Sequence, residues 1–223
     1  MRLGFNIEIG REIVTEYENF DSLNMPKFHP AREMFDTLWL KNPLDTQRYL
    51  LRTHTSAHQV ELLKNRNLPL RLAIPGKTFR HEATDSRHEF QFHQMEILAV
   101  DKNANLEELI GVLTIVFSEF FNQNLKVYLR ASYFPFTEPS FEVYIDCILC
   151  RNKGCAVCKQ MGILEVGGAG MIHPNVLKEA GIDTKKHFGY AAGMGIERLI
   201  MIKHRIDDIR LFHSGDLRFI RQF

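Results

Sequence analysis

The chain has 223 residues, of which 45% are hydrophobic and 25% are charged, and its formal net charge is +1. These values are typical of a globular protein with one sizeable core. The near-neutral charge excludes a broad basic field, so any nucleic-acid contacts depend on local patches or on a partner chain. No apolar run reaches the roughly 18 residues of a membrane span, and acidic residues interrupt the N-terminal stretch where a signal peptide is apolar. We therefore expect a cytoplasmic protein without a membrane segment.

The first clear extended segment has alternating apolar residues over positions 70–74. We expect this strand to end at a turn formed by Pro75 and Gly76. A second extended stretch covers positions 90–100. The two segments predict strands of a hairpin with a long loop between them.

The next element is a helix over positions 106–120, where apolar side chains recur every three or four residues. Asn105 is the expected N-cap, and Glu108 stands three residues further on, as in a capping box. The apolar face of this helix predicts that it packs on a sheet.

Three later segments complete the pattern. Alternation over positions 125–130 and 141–146 predicts two more strands. Gly193, Met194 and Gly195 predict a glycine turn that leads into a buried helix beginning at Ile196. The chain has no repeat, low-complexity tract or Gly/Ser linker, so we expect one domain over residues 1–223. Its predicted class is α+β, with a mostly antiparallel sheet flanked by helices.

Polar and aromatic residues stand two positions apart in four segments that we expect to be extended. The four sets are Arg80 with Glu82, Phe92 with Gln94 and Glu96, His54 with Ser56, and Phe134 with Phe136 and Glu138. In a strand, residues two apart share a face. One such set would be an ordinary solvated face, but four sets of mixed chemistry indicate the floor of a pocket for an amphoteric ligand.

Two stretches look like a phosphate-binding P-loop and a histidine metal site, but neither has the required spacing. The sequence PGKT at positions 75–78 looks like the end of a phosphate-binding P-loop, but Arg71 stands where that motif needs glycine. His81, His88 and His93 lack the His-Glu-x-x-His spacing of a zinc site, so we do not expect them to bind metal.

All four cysteines fall in two adjacent pairs, Cys147-x-x-Cys150 and Cys155-x-x-Cys158. Two such pairs fit tetrahedral zinc, with ligands at about 2.3 Å. A disulfide pair is disfavoured in a reducing compartment, a redox role normally needs one pair, and the spacing leaves an iron–sulfur cluster open. We expect a structural Zn²⁺ site in an insertion over residues 147–158, which orders a surface hairpin and has no catalytic role.

Longer stretches of the sequence resemble a known family. GKTFRHEATDSRHEFQFHQMEILAV at positions 76–100 resembles motif 2 of class II aminoacyl-tRNA synthetases, and GMGIERL at positions 193–199 resembles motif 3. FPFTEPS at positions 134–140 and the ending RFIRQF are similar to the α subunit of bacterial-type phenylalanyl-tRNA synthetase. The resemblance covers essentially the whole chain. It implies the class II fold, ATP-dependent activation of phenylalanine, and transfer to tRNA(Phe).

The resemblance also implies the nucleotide contacts. Arg80 would bridge the substrate carboxylate and the α-phosphate of ATP, a task that suits a planar bidentate donor. Arg198 would hold the γ-phosphate from the opposite side. Glu82 would contact the adenine side of the nucleotide, His88 the outer phosphates, and Phe92 the adenine ring. Catalysis would then depend on positioning and charge neutralisation, without a covalent enzyme nucleophile.

Phenylalanine would lie on the same sheet. Its ammonium group would meet polar groups among His54, Ser56, Gln94 and Glu96. Its ring would lie edge-to-face on Phe134 and Phe136, with about 0.5–1.5 kcal/mol from each contact beyond area burial. The small Ala191 would leave room at the far end of the ring. Apart from the flanking motif, the two phenylalanines would be explained by core packing.

The family further implies partners. It forms an α2β2 heterotetramer, so a β subunit is expected, and Glu138 resembles a Mg²⁺ ligand near that subunit. Some bacterial members carry a similar Cys-rich insertion. We expect the N-terminal helical arm that grips tRNA to be absent, and Phe35 stands where a larger aromatic residue is often found beside the pocket.

Two other hypotheses compete with this one. The first is a paralogue that kept the fold as a binding or regulatory module, which the intact Arg80, Glu82 and Arg198 disfavour. The second is an enzyme that adenylates another acid, such as phosphoserine. Phe134 and Phe136 disfavour it, because an anionic side chain would need Arg or Lys there.

Overall fold

The structure is a computed structural model that describes residues 3–32, 37–41, 47–64 and 66–223. Phe35 lies outside the described residues. The strands are β1 (Asn6–Ile7), β2 (Ile13–Thr15), β3 (Tyr49–Leu51), β4 (Leu70–Phe79), β5 (Gln91–Asp101), β6 (Val127–Phe134), β7 (Thr137–Asp146), β8 (Ile163–Ile172) and β9 (Phe188–Gly195). The α-helices are α1 (Glu16–Asn19), α2 (Gln59–Leu63), α3 (Leu106–Phe121), α4 (Pro174–Glu179), α5 (Ile196–His204) and α6 (Leu217–Ile220).

The described strands form two sheets. The larger has the order β1-β4-β5-β9-β8-β7-β6, and its neighbouring strands are antiparallel except for β1 and β4. β2 and β3 form a small antiparallel pair. The predicted α+β class with a mostly antiparallel sheet is confirmed. Within the described ranges, no helix is both long enough and apolar enough to cross a membrane.

The turn predicted at Pro75 and Gly76 is wrong, because β4 continues through both residues and pairs with β5 as far as Phe79. Pairing with β1 stops at Ala73, and among the described residues no strand pairs with β4 beyond that point on that side, where the Phe79 N–H donates instead to Arg52 O. A proline, which cannot donate a backbone hydrogen bond, is tolerated at such an open edge. Glycine is needed at position 76 for a different reason, because a Cβ there would overlap the guanidinium of the buried Arg52.

The predicted helix is confirmed as α3, with Asn105 as its N-cap. The Asn105 side chain accepts a hydrogen bond from the Glu108 N–H at 2.9 Å. The Glu108 carboxylate accepts instead from Arg71 on β4 and from the Tyr190 hydroxyl on β9, the latter at 3.2 Å. The helix is therefore anchored to two strands of the sheet as well as capped.

Alternation along β5 separates the core from the opposite face of the sheet. Ile97 and Ala99 pack in the main core with Leu113 of α3. Gln94 and Glu96 belong to the other register of the strand and point the opposite way. The apolar face under α3 therefore leaves the other face available for a polar site.

The strands predicted over positions 125–130 and 141–146 are confirmed as β6 and β7. The glycine turn predicted at Gly193 to Gly195 is wrong, because these residues end β9, which passes directly into α5. The helix itself is buried as predicted, with Leu199 and Ile202 in the main core.

Candidate active site

A cavity of about 530 Å³ lies on the face of the large sheet opposite α3. Residues of β5, β8 and β9 line it, together with the segment around residues 54–59 and the turn between β6 and β7. Most of the predicted site residues line this cavity, namely His54, Ser56, Arg80, Phe92, Gln94, Glu96, Phe134, Phe136 and Ala191. Four others lie outside its lining: Glu82, His88, Glu138 and Arg198.

The predicted triplet on β5 is confirmed, since Phe92, Gln94 and Glu96 all line the cavity. The side chain of Gln94 packs over Gly193 of the neighbouring strand, where a Cβ would come within 2.6 Å of its Nε2 atom. Its Oε1 atom is buried and has no hydrogen-bond partner among the described residues. The side-chain amide of Gln94 therefore packs against β9 and leaves its Oε1 atom able to accept a hydrogen bond.

Glu96 is the buried acidic group of the cavity and is 1% exposed. Its carboxylate accepts hydrogen bonds from Thr55 Oγ1 at 3.1 Å, from Ser56 Oγ at 2.8 Å, and from the Gln59 side-chain amide. Burial raises the pKa of Glu96 above its ordinary value, while these three hydrogen bonds oppose that shift. Thr55 and Gln59 were missed by the sequence analysis, although they belong to the same polar run as Ser56.

His54 and Ser56 do not form the predicted extended pair. His54 is extended, but Thr55–His58 is a 3-10 helix, so the two side chains reach the cavity from a turn. Neither ring nitrogen of His54 has a hydrogen-bond partner among the described residues. Burial, together with the nearby Arg80 and Arg52, lowers the pKa of His54 to about 3. The imidazole is therefore neutral near pH 7 and can accept a hydrogen bond.

Arg80 follows β4 directly, and its backbone N–H donates to Phe90 O at 2.8 Å. Residues 80–90 form a loop, so the prediction that Arg80 and Glu82 lie on a strand is wrong. The two side chains are still neighbours, with Nη1 and Oε1 3.7 Å apart. The guanidinium carbon lies 5.1 Å from the centre of the Phe92 ring, so Arg80 and Phe92 form one rim of the cavity.

His88 lies further along the same loop, where its Nδ1 atom is 3.0 Å from an Asp85 carboxylate oxygen. The His88 side chain and the backbone N–H groups of Arg87 and His88 hydrogen-bond to Asp85 and lower its pKa to about 2. The loop therefore carries an internally bonded turn that places His88 on the surface, outside the cavity lining.

Arg198 lies in the first turn of α5, three residues after the cavity residue Gly195. Burial and the nearby Arg87 lower its pKa, while the nearby Glu165 opposes this effect. Glu165 itself lines the cavity. Arg198 thus lies next to the end of the cavity formed by β9, within the electrostatic influence of an arginine of the 80–90 loop and an acidic residue of β8.

Phe134 and Phe136 form one wall, with ring centres 6.0 Å apart and planes inclined by 15°. A Cβ at Gly168 of β8 would come within 2.8 Å of the Phe134 ring, so the glycine makes room for it. Pro135 and Phe136 form the turn between β6 and β7, so the segment is not the single extended run that was predicted.

Glu138 departs most from that prediction, because the turn places it away from the cavity. Its side chain is 73% exposed, and it lies beside His173, whose Nε2 atom is 3.2 Å from Oε2 of Glu138. Glu142 and Glu165 are acidic residues that do line the cavity. The alternation that predicted β7 already placed Glu142 on its polar face, but the sequence did not indicate that this face lines a pocket.

The comparisons with known proteins agree with this geometry. Residues 1–223 match the family model described as tRNA synthetases class II core domain (F). The chain belongs to this family.

Curated relatives of the class II core include the phenylalanine--tRNA ligase alpha subunits of Francisella tularensis subsp. holarctica and Cytophaga hutchinsonii. Each is 48% identical, over 220 and 222 residues that cover 99% and 100% of this chain. The chain spans 64% of the length of these relatives. A solved structure, pyrrolysyl-tRNA synthetase from Desulfitobacterium hafniense, superposes with a TM-score of 0.65 at 17% identity. That match covers 97% of this chain and 69% of the other, and it supports the class II fold.

This class II core also carries a cluster of four cysteine thiols within the connection between β7 and β8. The side-chain sulfur atoms of Cys147, Cys150, Cys155 and Cys158 all lie within 4.8 Å of one another, and all four residues are free thiols. The separations Cys155–Cys158, Cys147–Cys155 and Cys150–Cys158 are 3.6, 3.9 and 3.9 Å. A tetrahedral metal with sulfur ligands at about 2.3 Å requires separations of about 3.8 Å, so the cluster fits zinc.

Backbone groups support a thiolate in this cluster. The N–H groups of Cys155 and Gly162 donate to the Cys158 sulfur at 3.1 and 3.3 Å. Burial opposes ionisation of Cys158, but hydrogen bonds from these backbone groups and from the Cys155 and Cys150 thiols outweigh it and lower the pKa of Cys158 to about 6, whereas burial raises the pKa of Cys147 to about 12. Metal-binding cysteines react as thiolates, so the local backbone is suited to a metal ligand.

Proposed function

We propose that this chain is the α subunit of a phenylalanine--tRNA ligase, which activates phenylalanine with ATP and transfers it to tRNA(Phe). The observation that carries the proposal is the single cavity that combines an arginine, a buried carboxylate and a pair of phenylalanine rings. The printed names of the curated relatives at 48% identity support the same assignment.

The cavity offers groups for both the charged part and the aromatic part of an aromatic zwitterion. Arg80 offers a bidentate donor to a carboxylate. Glu96 carries the negative charge that attracts an ammonium group, and Ser56, Gln94 and neutral His54 offer further polar contacts. The rings of Phe134 and Phe136 and the small Ala191 would provide an apolar compartment with room for a phenyl group, beside His54, whose ring centre lies 5.7 Å from that of Phe136.

ATP would occupy the rim next to this compartment. Adenine would stack on Phe92, with Glu82 beside it, while His88 and Arg198 contact the outer phosphates. The amino-acid carboxylate would then attack the α-phosphorus in line, and pyrophosphate would leave. Arg80 would neutralise charge on both reacting groups, so the protein would supply positioning and electrostatic stabilisation. In the second step, a terminal ribose hydroxyl of tRNA would attack the adenylate carbonyl and release AMP.

Mg²⁺ would accompany the phosphates and neutralise part of their charge. Carboxylate oxygens are its preferred protein ligands, and Glu142 and Glu165 offer them within the cavity lining. Glu138 remains the proposed ligand of a Mg²⁺ ion outside the cavity, on the surface that would face the β subunit. Its largely exposed carboxylate beside His173 is compatible with that role.

The proposed assembly is an α2β2 heterotetramer in the cytoplasm, where tRNA is charged. A net charge of only +1 supports the need for a partner, because the overall charge of this chain supplies little attraction for the phosphates of tRNA. The relatives are themselves named as alpha subunits.

Exchange of pyrophosphate into ATP tests the proposed activity most directly. We expect exchange that depends on phenylalanine when the chain is assembled with its β subunit, and no comparable exchange with other amino acids or phosphoserine. Exchange with another acid and none with phenylalanine would refute the substrate. Full assembly without any exchange would support the binding or regulatory paralogue instead.

We also propose that the four cysteines hold one structural Zn²⁺. The Cys155→Ser variant is expected to lose the bound zinc, and a loss of about 2 kcal/mol in stability would lower the Tm by about 4–8 °C. Metal analysis by mass spectrometry and thermal unfolding measure the two effects. Ala156→Ser, at the adjacent exposed position, is the matched control and should change neither. Protein with four reactive thiols and no zinc, or with iron and sulfide, would contradict the proposal.

A further inference from the structure

Glu197, in the first turn of α5, is a charged residue that is 4% exposed. Its two carboxylate oxygens accept from the backbone N–H of His93 at 2.9 and 2.8 Å, and Oε1 lies 2.7 Å from Nδ1 of the His93 ring. One carboxylate therefore binds both the backbone and the side chain of a single residue on β5.

The contact between Glu197 and His93 lies at the end of the ladder between β5 and β9. The ladder between β5 and β9 ends at the pair Gln94 and Gly195, because α5 begins at the next residue. The N–H of His93 is thus one residue beyond the last strand pair, and Glu197 accepts the hydrogen bond there. The carboxylate closes the end of the ladder and ties the start of the helix to the strand.

The residues beside this contact belong to the proposed nucleotide site. Phe92 and Gln94, on either side of His93, point into the cavity, while His93 points to the opposite face. Arg198 directly follows Glu197 on the helix. The Glu197 contact therefore fixes the distance between the proposed adenine platform on β5 and the proposed γ-phosphate contact on α5.

We propose that Glu197 is a positioning residue, which locks the first turn of α5 to β5 and so holds Arg198 against the outer phosphates of ATP. This inference rests on the proposed function. Arg198 needs such support because it lies near Arg87, a like charge, and its long side chain has many rotamers to lose. The negative charge of Glu197 also stabilises the N-terminal turn of the helix in which it lies.

The test compares ATP and phenylalanine in the assembled enzyme. Glu197→Ala is expected to raise the KM and the dissociation constant for ATP by about 10- to 100-fold, the range for loss of hydrogen bonds to a charged group. The KM for phenylalanine should stay nearly constant. Glu197→Gln should have a smaller effect, because its amide oxygen can still accept from the His93 N–H.

Glu108→Ala is the matched control. Glu108 also ties a helix to the sheet on the face away from the cavity, through Arg71 and Tyr190. Its loss should lower thermal stability and leave ATP binding unchanged. If Glu197→Ala lowers stability without changing ATP affinity, as expected for Glu108→Ala, the positioning role is overturned.

A double-mutant cycle tests whether Glu197 acts through Arg198. In the Arg198→Ala background, Glu197→Ala is expected to weaken ATP binding very little further, because the two changes remove the same contact. Full additivity of the two losses would overturn the proposal. Calorimetric ATP titration gives this result whichever amino acid is the substrate, so a wrong substrate assignment and a wrong role for Glu197 remain distinguishable.

Discussion

Arg80→Ala is expected to lower kcat/KM for adenylate formation by about 10³-fold, the effect of removing an arginine that neutralises a transferring phosphoryl group. Arg80 lies on the cavity rim beside Phe92 and, in the proposed reaction, contacts both the amino-acid carboxylate and the α-phosphate. Because both negative groups must approach each other, loss of this charge raises the barrier as well as weakening binding. Single-turnover formation of phenylalanyl-adenylate measures the effect.

The Lys variant separates charge from geometry. Arg80→Lys keeps the positive charge but loses the planar fork, so we expect an intermediate loss of about 10²-fold. Arg218→Ala is the control, because Arg218 is 92% exposed and pairs only with the nearby Asp216 among the described residues. Wild-type rates in Arg80→Ala, or equal losses in Arg80→Ala and Arg218→Ala, would contradict the assigned role.

Periodicity predicted the parts of the site that lie on regular strands. Phe92, Gln94 and Glu96 share a face because β5 is extended over its whole length, and α3 was predicted with its N-cap because both signals are local in sequence. The other three sets also contribute residues to the cavity, but for reasons that strand geometry does not supply. His54 and Ser56 reach it from a 3-10 helix, Arg80 from a loop, and Phe136 from a turn.

The missed features depend on contacts between distant parts of the chain. Pro75 and Gly76 look like a turn locally, yet the strand continues because both residues pair with β5, and Arg52 occupies the space over the glycine. The contact between Glu197 and His93 could not be predicted for the same reason, because the two residues are 104 positions apart in the sequence. Motif resemblance named Arg198, but only the fold shows which group holds the helix that carries it.

Glu96→Gln is expected to raise the KM for phenylalanine by about 10²-fold or more, the cost of removing one partner of a buried charge pair. The substitution removes the negative charge while nearly preserving the shape of the side chain. Thr55 and Ser56 can still donate to an amide oxygen in the place of Oε2, and the new NH2 group in the place of Oε1 can donate to Oε1 of Gln59 once that amide turns over, so we expect little change in the unfolding midpoint. The KM for ATP should also change little, because Glu96 lies in the amino-acid part of the cavity.

The pH dependence of the KM for phenylalanine tests whether the Glu96 carboxylate binds the substrate ammonium group. Its raised pKa means that the folded protein binds this proton more tightly than the unfolded chain, so ionised Glu96 costs stability above that pKa and the cost disappears as the pH falls. Binding has the opposite trend, because protonation removes the charge that attracts the substrate ammonium group. The KM for phenylalanine should therefore rise as the pH falls through the raised pKa of Glu96, earlier than for an ordinary glutamate.

His54 cannot produce this acidic limb, because its pKa of about 3 leaves the ring neutral over the same interval. In Glu96→Gln the limb should disappear and the KM should stay high at every pH. Steady-state measurement of the KM for phenylalanine from about pH 5 to pH 8, the range in which folded proteins are usually most stable, tests both statements. An unchanged acidic limb in Glu96→Gln would show that another group binds the ammonium, and the assignment of the buried carboxylate would be wrong.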